Sequence, residues 1–211
     1  DNHDEEDSAE AERKAKMAAY SRIGNIVTYG RYEQDNNLEN GLEPIEWIVL
    51  DYDGKNNRSL LISKYGLDTI TFDQWSTKHD CTWEDCRARK WLNSYFLYSA
   101  FNKEERKAIP ITEVDESESQ DHLRHVKREL QKTQDRIFLL SNKEAELYFG
   151  ATNAAFDYEP YIRARAAPTT YAIAQGAYAS DEFKTAEGLP AGSWLLRTYS
   201  GDCQGMLVNK G

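Results

Sequence analysis

From Pro44 to Asp53 the chain reads PIEWIVLDYD, and after a short turn it resumes as SLLISKYGLD from Ser59 to Asp68. In the first run Ile45, Trp47 and Val49 alternate with Glu46, Ile48 and Leu50, which predicts a strand buried on both faces for much of its length. Asp53-Gly54 and Asn56-Asn57 are turn formers, so the two runs read as an antiparallel hairpin. Upstream, IVTYGRY from Ile26 to Tyr32 is rich in β-formers, and DNNLENG from Asp35 to Gly41 is a cluster of turn residues. Strand, loop and hairpin follow in that order.

Downstream the pattern turns helical. Trp83, Cys86, Arg87, Trp91, Leu92 and Phe96 recur at mostly helical spacing after a Thr82/Asp85 capping arrangement, predicting a helix from about Trp83 to Tyr95. Asn102–Ala108 predicts a second, short helix stopped by Pro110. A narrow apolar stripe of Leu123, Val126 and Leu130 predicts an amphipathic helix over Gln120–Gln134. Arg136–Leu140 (RIFLL) reads as a strand, and Ser141 with Glu144 forms a capping box for a helix ending at Gly150. Pro168 places a helix start near Thr169, with its end near Gly176. Ser193–Thr198 and Met206–Asn209 read as strands around the turn Ser200-Gly201-Asp202.

The whole is an α+β pattern without internal repeats. The 211 residues suit one domain with its own core, starting near Ile23, with residues 1–22 as a polar tether or frayed helix. Five of the first seven residues are acidic, and the following AEAERKAKMAAY puts acids ahead of bases, the order the helix dipole favours. A net charge of -10 works against attraction to nucleic acid or anionic lipid. No apolar run reaches the roughly 20 residues needed to span a bilayer. The three cysteines, Cys81, Cys86 and Cys203, are too few for a disulfide framework.

No catalytic or metal motif of recognised spacing appears. Cys81 and Cys86 are five residues apart, which on a helix is a rotation of roughly 140°; a buried Cys86 and a half-exposed Cys81 are expected rather than a metal or redox pair. Cys203 has no partner base. His122 and His125, with Glu118, Asp121 and Glu129, form a loose set on the predicted 120–134 helix and read as a solvated face. His79 beside Asp80 is a lone loop histidine. Glu46 and Asp51 face opposite sides of their strand and read as hydrogen-bonding residues, not an acid/base pair. Trp47, Trp83, Trp91 and Trp194 are expected in the core. Arg197, amid the apolar residues of WLLRT, must reach solvent or pair with a carboxylate, for which Asp202 and Glu46 are the expected partners.

The collinear set IVTYGRYEQD, PIEWIVLDYD, LLISKYGLD, TWEDCRARKWLN, IFLLSNKEAELYF, PTTYAIAQGAY and WLLRTYSGD resembles a large family of uncharacterised bacterial domains, with motifs of the form PIEWxVLD, TWExCxLRxWLN and WWLRSPG. The resemblance covers most of the chain from about Gly24. It implies a C-type-lectin-like fold, with a mixed, mostly antiparallel sheet, flanking helices and long loops, shared with the sulfatase-modifying (formylglycine-generating) enzymes. It also implies an extracellular or surface-tethered setting, where a polar opening such as DNHDEED suits a position just after a removed anchor; composition leaves a cytoplasmic setting open. The family's closing strand, resembling GVRPALWL, has no counterpart before Gly211 and is expected beyond it. The family's WWLRSPG is replaced here by WLLRTYSG from Trp194 to Gly201, with one aromatic and the Pro changed.

On this resemblance the expected function is noncatalytic recognition of a glycan, peptide or cell-envelope protein, with no cofactor. Membrane attachment would come only through a tether outside this chain. The expected site combines Arg197, Tyr199, Ser200, Asp202 and Gln204 with Asp73 and Trp75 of the loop Thr71–His79. Calcium-dependent sugar binding of the classical kind is not expected, because Ile45 follows Glu43-Pro44 where an amide oxygen would be needed. The alternatives are a metal- or thiol-dependent oxidoreductase using Cys203 or Cys81/Cys86, and a structural spacer.

Overall fold

The computed structural model describes residues 2–72, 81–116, 129–149, 165–197 and 208–209. It is an α+β structure built from small antiparallel sheets and short helices, rather than one mixed sheet. Packing divides it into two units, one of residues 1–29 and 44–64 and the other of residues 30–43 and 65–211.

In the first unit, helix α1 (Asn2–Ala19) is exposed over residues 7–18, and no helix among the described residues is long and apolar enough to cross a membrane. The end of α1 is fastened by hydrogen bonds: the Ser59 hydroxyl donates to the Tyr20 carbonyl at 2.5 Å, and the Tyr20 hydroxyl donates to the Thr28 carbonyl at 3.0 Å. Strands β1 (Ile26–Tyr32), β2 (Glu43–Asp53) and β3 (Arg58–Ser63) make a sheet in that order. The predicted hairpin forms, pairing Trp47 with Ser63 and Asp53 with Arg58. A bulge between Val49 and Asp51 shifts the register. Leu50 is thereby the extra residue, and both it and its neighbour Val49 are buried, which strict alternation would forbid.

In the second unit the helix expected from Trp83 begins later. Thr82 and Asp85 close a turn, the Thr82 N–H donating to Asp85 Oδ1 at 3.1 Å, and the cap is Cys86, whose sulfur accepts from the Arg89 N–H at 3.3 Å. Helix α2 (Arg87–Trp91) runs into a π-helical turn (Leu92–Phe96) and then α3 (Leu97–Ala100). Helix α4 (Lys103–Ala108) starts as predicted, with Asn102 and Glu105 in a reciprocal capping box.

Two predicted elements are corrected. Residues 120–128 of the expected Gln120–Gln134 helix lie outside the described residues, but its end is strand β5 (Thr133–Asp135), paired with β4 (Thr112–Val114). Thr133 and Asp135 point inward and Gln134 outward, a period of two that a three-residue strand cannot announce against a charged background. Arg136–Leu140 is not a strand. The carbonyls of Leu139 and Leu140 accept from Arg197 instead of a neighbouring strand, from Nη1 at 2.6 Å and from its N–H at 3.0 Å.

The capping box at Ser141 forms with Glu144, and α5 spans Asn142–Phe149. Helix α6 (Thr170–Ala174) is capped by the Thr169 hydroxyl, which accepts from the Ala172 N–H. The last sheet centres on β8 (Pro190–Trp194), which pairs with β6 (Arg165–Ala166), β7 (Ser180–Lys184) and β9 (Val208–Asn209), all antiparallel. β8 therefore stops at Trp194, short of the expected Thr198.

Gly30 is held at φ +71°, where a Cβ would lie 2.6 Å from the Phe101 ring and 2.7 Å from the Ala100 carbonyl oxygen. Both the left-handed backbone and the overlap oppose a side chain. Gly30→Ala should cost about 2 kcal/mol or more, and a thermal melt lowered by less than about 2 °C would contradict this account of the packing.

Candidate functional site

The π-helical turn has a visible cause. The Asn93 carboxamide donates to the carbonyls of Arg89 at 3.1 Å and Ile137 at 2.8 Å, and accepts from the N–H groups of Arg136 at 2.9 Å and Ile137 at 3.1 Å. A side chain that takes the carbonyl four residues back competes with the helical ladder and widens it. Past this point Phe96 turns inward and Tyr95 outward.

Phe96 is the hub of an aromatic cluster. Its ring stacks on Trp91 at 5.5 Å, meets Tyr32 at 5.2 Å and meets Phe101 edge-on at 6.0 Å. Tyr32, 4% exposed, also meets Tyr171 edge-on at 5.9 Å. Tyr171 is placed by α6, its N–H donating to the Gln34 carbonyl at 2.9 Å. On the outer side, Tyr95 is 58% exposed and its ring lies 5.9 Å from that of Trp91, while Tyr98 is 67% exposed beneath the Arg106 guanidinium, 4.4 Å from the ring centre. Trp91 and Tyr95 thus form a ladder of accessible rings on a core-anchored helix, with Tyr98 a further exposed ring on the same helical run. Of the four tryptophans expected in the core, Trp83 is fully buried, whereas Trp47, Trp91 and Trp194 are half-buried.

Asp68 joins the aromatic cluster at Tyr32. Its Oδ2 accepts from the Tyr32 hydroxyl at 2.5 Å and its Oδ1 from the Thr69 N–H at 2.7 Å. Burial pushes its carboxyl up from the usual range, against the pull of those two donors. The Tyr171 hydroxyl is raised by burial and then by Asp68, Tyr95 and Glu33, which gathers these groups in one neighbourhood. Tyr32 is raised further, by burial first and its bond to Asp68 second, so all of these hydroxyls are protonated donors at neutral pH.

Next to this face, the ligand atoms of Glu33, Asp35 and Glu43 lie within 4.8 Å of one another, oxygen donors of the kind a hard cation takes. The Asn37 N–H donates to Glu33 at 3.0 Å and to Asp35 at 2.8 Å, the Gln34 N–H donates to Glu43 at 2.7 Å, and the Asn40 side chain donates to Asp35 at 2.7 Å. Asn40 and the Asn37 N–H hold the exposed Asp35 carboxyl below the usual range. These bonds fold the 33–43 loop by themselves.

Of the expected site residues, Tyr199, Ser200, Asp202, Gln204, Asp73 and Trp75 lie outside the described residues, as do Cys203, His79, His122 and His125. Arg197 is described and is buried. Its partner is neither Asp202 nor Glu46: Nη1 and Nη2 bind the Glu144 carboxylate at 2.5 and 3.0 Å, and Nε faces Glu116 Oε1 at 3.9 Å. Glu144 therefore serves both its capping box and this ion pair. Glu46 pairs with Lys64 at 3.2 Å. Cys86 is buried and Cys81 half-exposed, as expected.

A family model described as a domain of unknown function (DUF6273) matches residues 56–210. The chain belongs to that family. No curated protein and no solved structure matches it. The matched segment carries the aromatic ladder, Asp68, Tyr171 and Arg197; the PIEWIVLDYD stretch precedes it.

Two outcomes test this geometry. Arg197→Ala leaves Glu144 and Glu116 without their guanidinium and should destabilise the protein by about 3–5 kcal/mol, lowering the melt by at least about 6 °C; a change within about 2 °C would contradict the pairing. For Asp68 the folded-state carboxyl lies above the usual 3.8, so its ionisation penalises the folded state, and stability present below that value is lost as pH rises. Asp68→Asn should therefore gain in melting temperature relative to the parent between about pH 4 and pH 7, and a flat difference would refute the assigned burial.

Proposed function

We propose that this protein is a noncatalytic recognition domain of an exported or surface-tethered bacterial protein, with a C-type-lectin-like architecture, that takes a glycan, peptide or cell-envelope protein. The observation that carries the reading is the ladder of accessible rings Trp91 and Tyr95, with Tyr98 further along, on a helix whose inner face is locked by Phe96 and Asn93. Exposed aromatic rings offer large contact area at small entropic cost, and are unusual as a group unless something covers them. The rigid scaffold supports recognition by fixed geometry. The contacts expected at Tyr199–Gln204 and within Thr71–His79 belong to the same proposal.

The thiol-dependent alternative draws no support from Cys86, whose sulfur caps α2 and whose thiol donates to the Trp83 carbonyl at 3.4 Å. Probing glycan, peptide and cell-wall arrays with the parent chain and with Tyr95→Ala tests the proposal. Binding above background that falls about tenfold or more in the variant, with the melt unchanged, is the expected result. Ligands bound equally by both proteins would remove the aromatic ladder from the reading.

A further inference from the structure

Among the described residues, the carboxylates around the aromatic face differ from the buried Asp135 and Glu116 in having no cationic side chain against them. Asp135, 2% exposed, meets Arg89 at 2.7 Å, and Glu116, 1% exposed, faces Arg197 at 3.9 Å. Glu33 is 5% exposed, yet among the described residues neither it nor Asp68 makes an ion pair. A charge withdrawn from water without an opposite charge is costly, and proteins place one there mainly where something else supplies the partner. Here Asp68 bonds to Tyr32, whose ring meets that of Tyr171; Asp68, Tyr95 and Glu33 all act electrostatically on the Tyr171 hydroxyl, and the Tyr95 ring lies 5.9 Å from that of Trp91.

We infer that this face binds its ligand through an ammonium group on a saturated carbon framework, the cation placed toward Asp68 and Glu33 and the framework lying against Tyr95 and Trp91. The inference rests on the recognition reading above and names its ligand chemistry. Aromatic rings attract a cation through the negative faces of their π systems, and the same rings bury the attached carbons. Among the described residues each Asp68 oxygen accepts one donor, leaving lone pairs to face an incoming cation. A neutral polyol would gain the stacking but leave the carboxylate charge uncompensated. An anion would be repelled by Asp68, Glu33, Asp35 and Glu43 together.

A quaternary ammonium head group and a free amino sugar both present this chemistry, and calorimetric titration of the whole chain separates them. The probes are choline against its neutral isostere 3,3-dimethylbutan-1-ol, and glucosamine against glucose, at matched ionic strength. At least one cation should bind about tenfold or more tighter than its neutral counterpart, the preferred one identifying the source. Asp68→Asn, which keeps an acceptor for Tyr32, and Tyr95→Phe and Tyr95→Ala then divide the interaction. The Asn variant should lose the preference for charge, Tyr95→Phe should keep most of the affinity, and Tyr95→Ala should lose about tenfold. Melts of each variant confirm folding. Neutral probes bound as well as cations, with Tyr95→Ala still defective, would overturn the inference while leaving the recognition face standing. Cation binding indifferent to Tyr95→Ala and Asp68→Asn would overturn both, and no cation binding at concentrations up to about 20 mM would overturn the inference.

Discussion

The Asn93 carboxamide makes four hydrogen bonds, and the shape of the second unit around the aromatic face depends on them. Three bind the irregular segment at Arg136 and Ile137, which is not in a strand; the donation to Arg89 disturbs the helical ladder and opens the π-helical turn. That widened turn changes the angular interval between side chains. Phe96 reaches Tyr32, Trp91 and Phe101 in the core while its neighbour Tyr95 stays in water.

Buried charge is handled by a consistent device. Asp135 accepts at one oxygen from the Trp83 indole at 3.0 Å and the Thr133 hydroxyl at 2.5 Å, and at the other from Arg89 at 2.7 Å. Arg197 holds Glu144 in a two-point contact and also ties down the Leu139 carbonyl. Both arginines therefore join segments far apart in sequence and satisfy backbone or capping groups as they do so. Such pairs contribute less to net stability than to fixing one arrangement, since the desolvation of both ions offsets much of their attraction. At Asp68 and Glu33 hydrogen bonds are present but, among the described residues, a cationic side chain is not, which gives the aromatic face its electrostatic character.

Family membership and physical reading address different questions. The DUF6273 match establishes kinship over residues 56–210 and carries no chemistry. What the site can do follows from its rings and carboxylates, because function resides in the geometry of particular side chains and not in the scaffold.

The sequence by itself determined the local structure wherever one short segment contains both the signal and its partner. The hairpin of β2 and β3 was legible from alternation and turn residues, α4 and α5 from their capping boxes, and α6 from Thr169 following Pro168. The burial of Cys86 and the need for a carboxylate beside Arg197 were legible too, since both depend on the residue's own polarity and immediate neighbours. Tertiary structure decided which carboxylate that would be: Glu144 lies 53 positions away in the chain, and its capping role concealed its second one. It also decided that RIFLL would offer carbonyls to Arg197 and not to a strand, that β5 would replace a helix end, and that Asn93 would open a π-helical turn. The aromatic face depends on the same long-range contacts, because Tyr32, Asp68, Tyr95 and Tyr171 come from four separate stretches of chain. Local propensity is summed over neighbours a few residues away, whereas these arrangements are chosen by partners tens of residues distant, so no local pattern could announce them.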